Sequence, residues 1–118
     1  MKRDLEVIRK ILLQVEASDD DPTTLKDVTI PGVEQLKISH HIEMLSEAGF
    51  VDAVDCTTMD GHDWQVSRLT WNGYELLDAI RDEEVWEGTK SKLAKVGGYT
   101  LPIVQALASD FIRKQLGL

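Results

Sequence analysis

Residues 34–69, EQLKISHHIEMLSEAGFVDAVDCTTMDGHDWQVSRL, switch hydrophobic period partway along, and that switch decides the architecture. From Glu34 to Ala48 the apolar residues Ile38, Ile42 and Leu45 recur at helical spacing within one narrow arc, and Gly49 follows as a C-terminal cap. Lys37, His40, Glu43, Met44 and Glu47 project from the other side of this helix. The runs Phe50–Asp55 and Trp64–Leu69 then read as strands, joined through Thr57–Asp63 with its Asp60-Gly61 turn signal, and form a hairpin.

Upstream, Leu5, Ile8, Ile11, Leu12 and Val15 predict a helix over 4–16, with Asp4 able to cap it. It stops before Ser18-Asp19-Asp20-Asp21-Pro22, where turn formers, like charges and a proline oppose continuation. The acidic triplet lacks the spaced oxygen ligands and glycine of a calcium loop and reads as a solvated loop. Val28-Thr29-Ile30, ahead of Pro31-Gly32, reads as a small edge strand.

Downstream, Thr70 can cap a helix carrying Tyr74, Leu76, Leu77 and Ile80, and a further helix holds Val85, Trp86, Leu93 and Val96 before Gly97-Gly98. Thr100 before Pro102 opens a last helix over 100–117. Its band of Ile103, Val104, Leu107, Ala108, Phe111, Ile112 and Leu116 is wider than one packing face requires, which predicts a homodimer joined through Val104, Leu107 and Phe111.

The chain has 118 residues, 42% hydrophobic and 29% charged, the balance of one globular domain over 1–118. No apolar run approaches the roughly 20 residues needed to span a bilayer, and Met1-Lys2-Arg3-Asp4-Leu5-Glu6 is charged where a signal core would be apolar, so the expected location is the cytoplasm. The single cysteine, Cys56, cannot form an intrachain disulfide and reads as a free thiol. Formal net charge is −8, but residues 1–87 hold 8 Lys/Arg against 20 Asp/Glu, whereas residues 88–118 hold Lys90, Lys92, Lys95, Arg113 and Lys114 against Asp110 alone. The body is acidic and the tail basic.

The order helix, short strand, helix, two-stranded wing, C-terminal helices is that of an α+β winged helix. The stretch Ile38–Val51 resembles the recognition helix and first wing strand of bacterial winged-helix regulators, and Leu69-Thr70-Trp71-Asn72-Gly73-Tyr74-Glu75-Leu76-Leu77 resembles the segment after their wing. Over nearly its full length the chain also resembles the bacterial and phage family called domain of unknown function 2513. Met1–Asp4, Ile8–Leu13, His41-Ile42, Thr58–Gly61, Leu69–Trp71 with Gly73, and Leu77-Asp78-Ala79 carry that resemblance. It implies a phage-related or prophage setting and a fold, without an activity. One departure stands out: only Gly32–Lys37 is available for the helix that normally supports a recognition helix, so that helix is short or fused into the next.

His40, His41, His62 and Cys56 are the only soft-metal candidates; adjacent helical histidines diverge by about 100°, and no paired spacing accompanies them, so neither metal nor cofactor is expected. His41 reads as a helix-packing residue, His40 as a surface one and His62 as part of the wing turn. No nucleophile elbow, phosphate loop or zinc-protease signature occurs, and an enzyme is not expected. Trp64, Trp71 and Trp86 read as core anchors. The two regulator-like stretches favour a DNA-binding regulator, with a protein-interaction module that does not bind DNA as the alternative. A DNA-binding regulator would use Lys37, His40 and Met44 in the major groove, Arg68 at the wing, and Lys90, Lys92 and Lys95 on phosphates. A protein-interaction module on the same frame would offer Glu43, Met44 and Glu47 to a basic partner.

Overall fold

The computed structural model describes residues 1–18 and 20–118; Asp19, part of the expected acidic loop, lies outside the described residues. Among the described residues, five α-helices and a two-stranded antiparallel sheet follow one another in an α+β order compatible with a winged-helix-like layout. The chain divides into two compact units, Met1–Tyr74 and Glu75–Leu118.

The first unit begins with helix α1, Leu5–Ala17, where the Asp4 carboxylate accepts the Glu6 and Val7 amides at 3.0 and 3.4 Å. Such a cap satisfies donors that a helix start otherwise leaves open and stabilises by about 1 kcal/mol. Helix α2, Gln35–Glu47, turns Ile38, Ile42 and Leu45 inward, none more than 2% exposed. It ends where Gly49 adopts a φ of 82°, a conformation that costs glycine nothing. Strands β1, Val51–Asp55, and β2, Trp64–Leu69, pair from Val51↔Leu69 to Asp55↔Trp64. The register slips between Asp52 and Ala53, leaving Ser67 as an extra residue in β2, and Lys26 Nζ binds that residue's carbonyl at 2.6 Å. Helix α1 packs on α2 and β2, and α2 packs on both strands.

The expected edge strand at Val28–Ile30 does not form. Backbone pairing with β2 occurs earlier in the chain, where Lys26 and Val66 exchange hydrogen bonds of 2.8 and 3.1 Å. Thr29 is held instead by the Gln14 side chain, whose amide donates to Thr29 O at 2.7 Å and whose oxygen accepts Thr29 N–H at 3.0 Å. A side-chain amide on α1 thus does what a neighbouring strand would do, while Val28 and Ile30 are buried on either side. Among the described residues no helix stands between α1 and α2.

Helix α3, Trp71–Ile80, leads from the first unit into the second, and Thr70 Oγ1 caps it by accepting Gly73 N–H at 3.2 Å. In the second unit α4, Glu83–Leu93, starts at Asp82, whose carboxylate accepts Val85 N–H at 3.0 Å. Val96, expected inside this helix, lies beyond it and is 58% exposed. The chain tightens after Leu93 through i→i−3 bonds from Lys95 to Lys92 and from Val96 to Leu93, so the helix closes before the glycines. Helix α5, Leu101–Gln115, carries Pro102 in its first turn and packs on α4, with the Phe111 ring laid against Gly88. Among the tryptophans, Trp86 is buried and Trp64 half-buried, but Trp71 is 77% exposed and anchors no core. The buried side of α3 runs through Gly73, Leu76, Leu77 and Ile80, and a residue at the first helical position faces away from it.

Candidate functional site

The outward side of α2 and the adjoining hairpin hold most of the residues singled out from sequence, and their charges are already partly answered from within the chain. Lys37 Nζ lies 2.8 Å from Asp4 Oδ2, an ion pair between α2 and the start of α1. The same Asp4 donates its backbone N–H to His41 Nε2 at 2.9 Å, and His41 Nδ1 lies 2.7 Å from Lys37 O. Since an amide N–H only donates, Nε2 accepts, and the ring proton sits on Nδ1 and points at the Lys37 carbonyl. Lys37, Asp4 and His41 form a closed ring of contacts. Burial holds the His41 imidazole below its ordinary pKa, against the opposing pull of the Lys37 carbonyl. The hydrogen bond from Lys37 lowers the pKa of Asp4 below the usual aspartate value.

Arg68 repeats the theme at the wing. It stands opposite Asp52 in the hairpin register, with Nε 2.7 Å from Asp52 Oδ2. Neither Lys37 nor Arg68 therefore presents a bare positive charge. Glu43 is approached at 3.4 Å by His62 Nε2 from the wing turn, without the alignment of a hydrogen bond, and Ser39 Oγ accepts the Trp64 backbone N–H at 3.2 Å. These contacts hold the wing along α2. Among the described residues, no cation stands within ion-pair distance of Glu47, Asp60 or Asp63. His40 and Met44 are half-buried, and the His40 ring meets His41 edge-on at 6.0 Å.

A cleft of about 430 Å³ opens where the first turn of α2 meets the wing turn, lined by Gln35, Leu36, Thr58, Asp60, Gly61, His62 and Asp63. Leu36 is 52% exposed at its edge, and Met59 at the hairpin tip is fully exposed. The sequence reading missed both residues. The 3.6-residue period does place Leu36 four positions before His40 on the outward side, which was the available signal.

Lys90, Lys92 and Lys95 belong to the second unit, around the end of α4. Lys90 pairs with Glu87 at 3.0 Å, and Lys92 Nζ sits 4.9 Å from the Phe111 ring centroid. Among the described residues, Lys92 and Lys95 have no carboxylate within ion-pair distance. Of the residues assigned to a dimer contact, Val104 is fully buried within the chain, while Leu107 and Phe111 are half-buried. The parts of α5 that remain outside include Ile103 and Leu116, 51% and 69% exposed. His41 is fully enclosed with both ring nitrogens engaged by backbone, as a packing residue would be. Cys56 is half-buried with its thiol unpaired. No helix among the described residues is long and apolar enough to cross a membrane.

Comparison with known proteins gives two matches. A protein of Haemophilus influenzae carrying the description "Uncharacterized protein" is 31% identical over 117 residues, which cover 98% of this chain and 99% of that one. No solved structure matches. The family described as "Hypothetical protein (DUF2513)" matches residues 2–100, which take in α1, α2, the hairpin, α3 and α4, and the chain belongs to that family.

Proposed function

We propose that the chain is a docking module without chemistry of its own, offering the outward side of α2 and the wing to a basic protein surface. One observation carries the reading. Both cations on that face are answered by acids of the same chain, Lys37 by Asp4 and Arg68 by Asp52, whereas Glu47, Asp60 and Asp63 are left unanswered among the described residues. A face so composed repels phosphate, because affinity for a duplex grows with the number of phosphates that free Lys and Arg neutralise. It attracts a cationic partner, and Leu36 and Met59 supply exposed apolar contact beside the charge. The reading keeps the cytoplasmic location and the phage-related setting that the sequence implied.

A second reading, a DNA-binding regulator, is favoured by the layout itself: an α2 with one side outward followed by an antiparallel wing, with no carboxylate within ion-pair distance of Lys92 or Lys95 among the described residues. Anisotropy titrations at low salt separate the two. A fluorescein-labelled peptide of alternating Lys and Leu binds and is weakened about ten-fold by Glu43→Lys with Glu47→Lys, while a short labelled duplex stays free. A duplex that binds with a steep salt dependence, lost on Lys92→Glu with Lys95→Glu, establishes the second reading instead.

A further inference from the structure

Two surfaces of this chain are each incomplete, and they are complementary. The first is the cleft between α2 and the wing turn, where Asp60 and Asp63 lack cations among the described residues and lie beside exposed Leu36 and Met59. The second is the end of α4 and the connection into α5, where, among the described residues, neither exposed Lys92 nor exposed Lys95 has a carboxylate within ion-pair distance, Asp110 acting on Lys92 only from further off, and both lie beside exposed Val96 and Ile103. Each surface combines charge of one sign that no direct ion pair answers with apolar side chains that a folded chain would normally cover. The signs are opposite, and the two lie in different compact units.

We infer that the basic partner of the α2–wing cleft is a second copy of this chain, which inserts its Lys92–Val96 segment. This rests on the reading of that cleft as a docking face and names its occupant. Lys92 and Lys95 meet Asp60 and Asp63, and Val96 packs on Leu36. The contact is heterologous, since the surface on one copy differs from the surface on the other, and each copy carries both halves. Self-association of this kind draws on the uneven charge of the chain: residues 88–118 carry five Lys/Arg against one acid, and the preceding 87 residues carry 20 acids against 8. It is accordingly salt-sensitive, because rim charges are screened within about 10 Å at 0.1 M ionic strength.

Charge-reversal complementation in the analytical ultracentrifuge tests it with the full chain. The native protein shows mass rising with concentration at low salt and falling toward the monomer at high salt. Asp60→Lys with Asp63→Lys, and separately Lys92→Glu with Lys95→Glu, each weaken association about ten-fold, both variants retaining native circular dichroism. An equimolar mixture of the two variants recovers association, because the acidic cleft of one then meets the unaltered lysines of the other. A native protein that stays monomeric at low salt overturns the inference, as does either variant associating like the native chain. If the Lys-Leu peptide binds the α2 face of a protein that remains monomeric, the docking reading stands and the second copy is removed as its partner.

Discussion

Gly73→Ala is the sharpest test of how the wing is joined to the helix after it. A Cβ built on Gly73 falls 2.0 Å from the Phe50 carbonyl oxygen, 3.1 Å from its carbon and 3.3 Å from Leu69 Cβ. Carbon and oxygen not covalently linked approach to about 3.3 Å at closest, so α3 and the entry to β1 must part by more than about 1 Å. The obstacle is backbone, which has no rotamer to escape into. That same Phe50 oxygen accepts the Thr70 N–H at 3.1 Å, Thr70 Oγ1 donates to Gly49 O at 2.6 Å, and Thr70 Oγ1 caps Gly73 at 3.2 Å. Parting the two segments strains all three bonds. Overpacking costs about 1–3 kcal/mol, and weakening the cap and one or two hydrogen bonds costs about 1–2 kcal/mol more. The better helix propensity of alanine returns about 1 kcal/mol. The net expectation is a loss of about 1–4 kcal/mol, a substantial part of the 5–15 kcal/mol typical of a domain. Urea unfolding followed by circular dichroism measures it, with Gly97→Ala as the control, since nothing lies within 4 Å of a Cβ there. A Gly73→Ala protein within about 0.5 kcal/mol of the native one would refute the close approach.

Gly88→Ala drives a Cβ to 2.7 Å from the Phe111 ring, a side chain that can swing aside, so a smaller loss of about 1–2 kcal/mol is expected. Phe111→Leu should relieve it, giving a coupling of about 1 kcal/mol in a double-mutant cycle of urea midpoints. Gln14→Ala strips Thr29 of both its side-chain hydrogen bonds and should cost about 1 kcal/mol on an exposed site, read in the same assay. His41 gives stability a pH dependence whose sign is fixed by its lowered native pKa: unfolded His41 gains a proton below 6.5 while the folded imidazole still refuses one. Stability should fall as pH drops below 6.5 and level off once the native ring is protonated. Asp4, whose native pKa is also lowered, adds a second loss as pH falls from 3.8 through that lowered value. Urea midpoints from pH 7.5 down to 5 (about the range in which an ordinary histidine titrates) should decline less steeply for His41→Gln; equal slopes would remove His41 as the cause.

What could be read from sequence were the elements whose signal is local. The periods of Leu5–Val15 and Ile38–Leu45, the Asp60-Gly61 turn and the Asp4, Thr70 and Gly49 caps all act within a few residues, and the helices and hairpin formed where they indicated. The misses were long-range. Val28–Ile30 has the composition of a strand, but whether it pairs depends on Gln14, fifteen residues away from Thr29 on another element. Trp71 has the bulk of a core residue, yet a single position of helix phase turns it to solvent. The charge state of the α2 face was hidden for the same reason: Lys37 meets Asp4 across 33 residues, and no pattern in either segment announces the pair. The Arg68–Asp52 pair was closer to legible, because a hairpin register sets the two opposite each other.

The missing supporting helix and the neutralised lysine have one physical origin. In a helix-turn-helix the helix before the recognition helix crosses the phosphate backbone and fixes the angle at which the next one enters the groove. Here Gln14, Lys26 and the buried Val28 and Ile30 hold an extended segment in that part of the chain, and it presents no helix N-terminus to an anion. The first half of α2 is instead tied to the start of α1 by the ring that runs from Lys37 through Asp4 to His41 and back, while α2 also packs on both strands. A lysine used to tie its own helix to α1 is held in place by a carboxylate, so releasing it to a phosphate would leave Asp4 Oδ2 without its cation, while Asp4 Oδ1 kept the Glu6 and Val7 amides. Asp4→Asn separates these roles. It keeps a side-chain oxygen for the Glu6 and Val7 amides while removing the charge that holds Lys37. Stability should fall by no more than about 1 kcal/mol, since the pair is only half-buried. Freed of its partner, Lys37 should raise duplex affinity at low salt. No gain for Asp4→Asn over the native protein would mean that the outward side of α2 is unsuited to DNA for reasons other than this pair, with Glu43 and Glu47 the next residues to change.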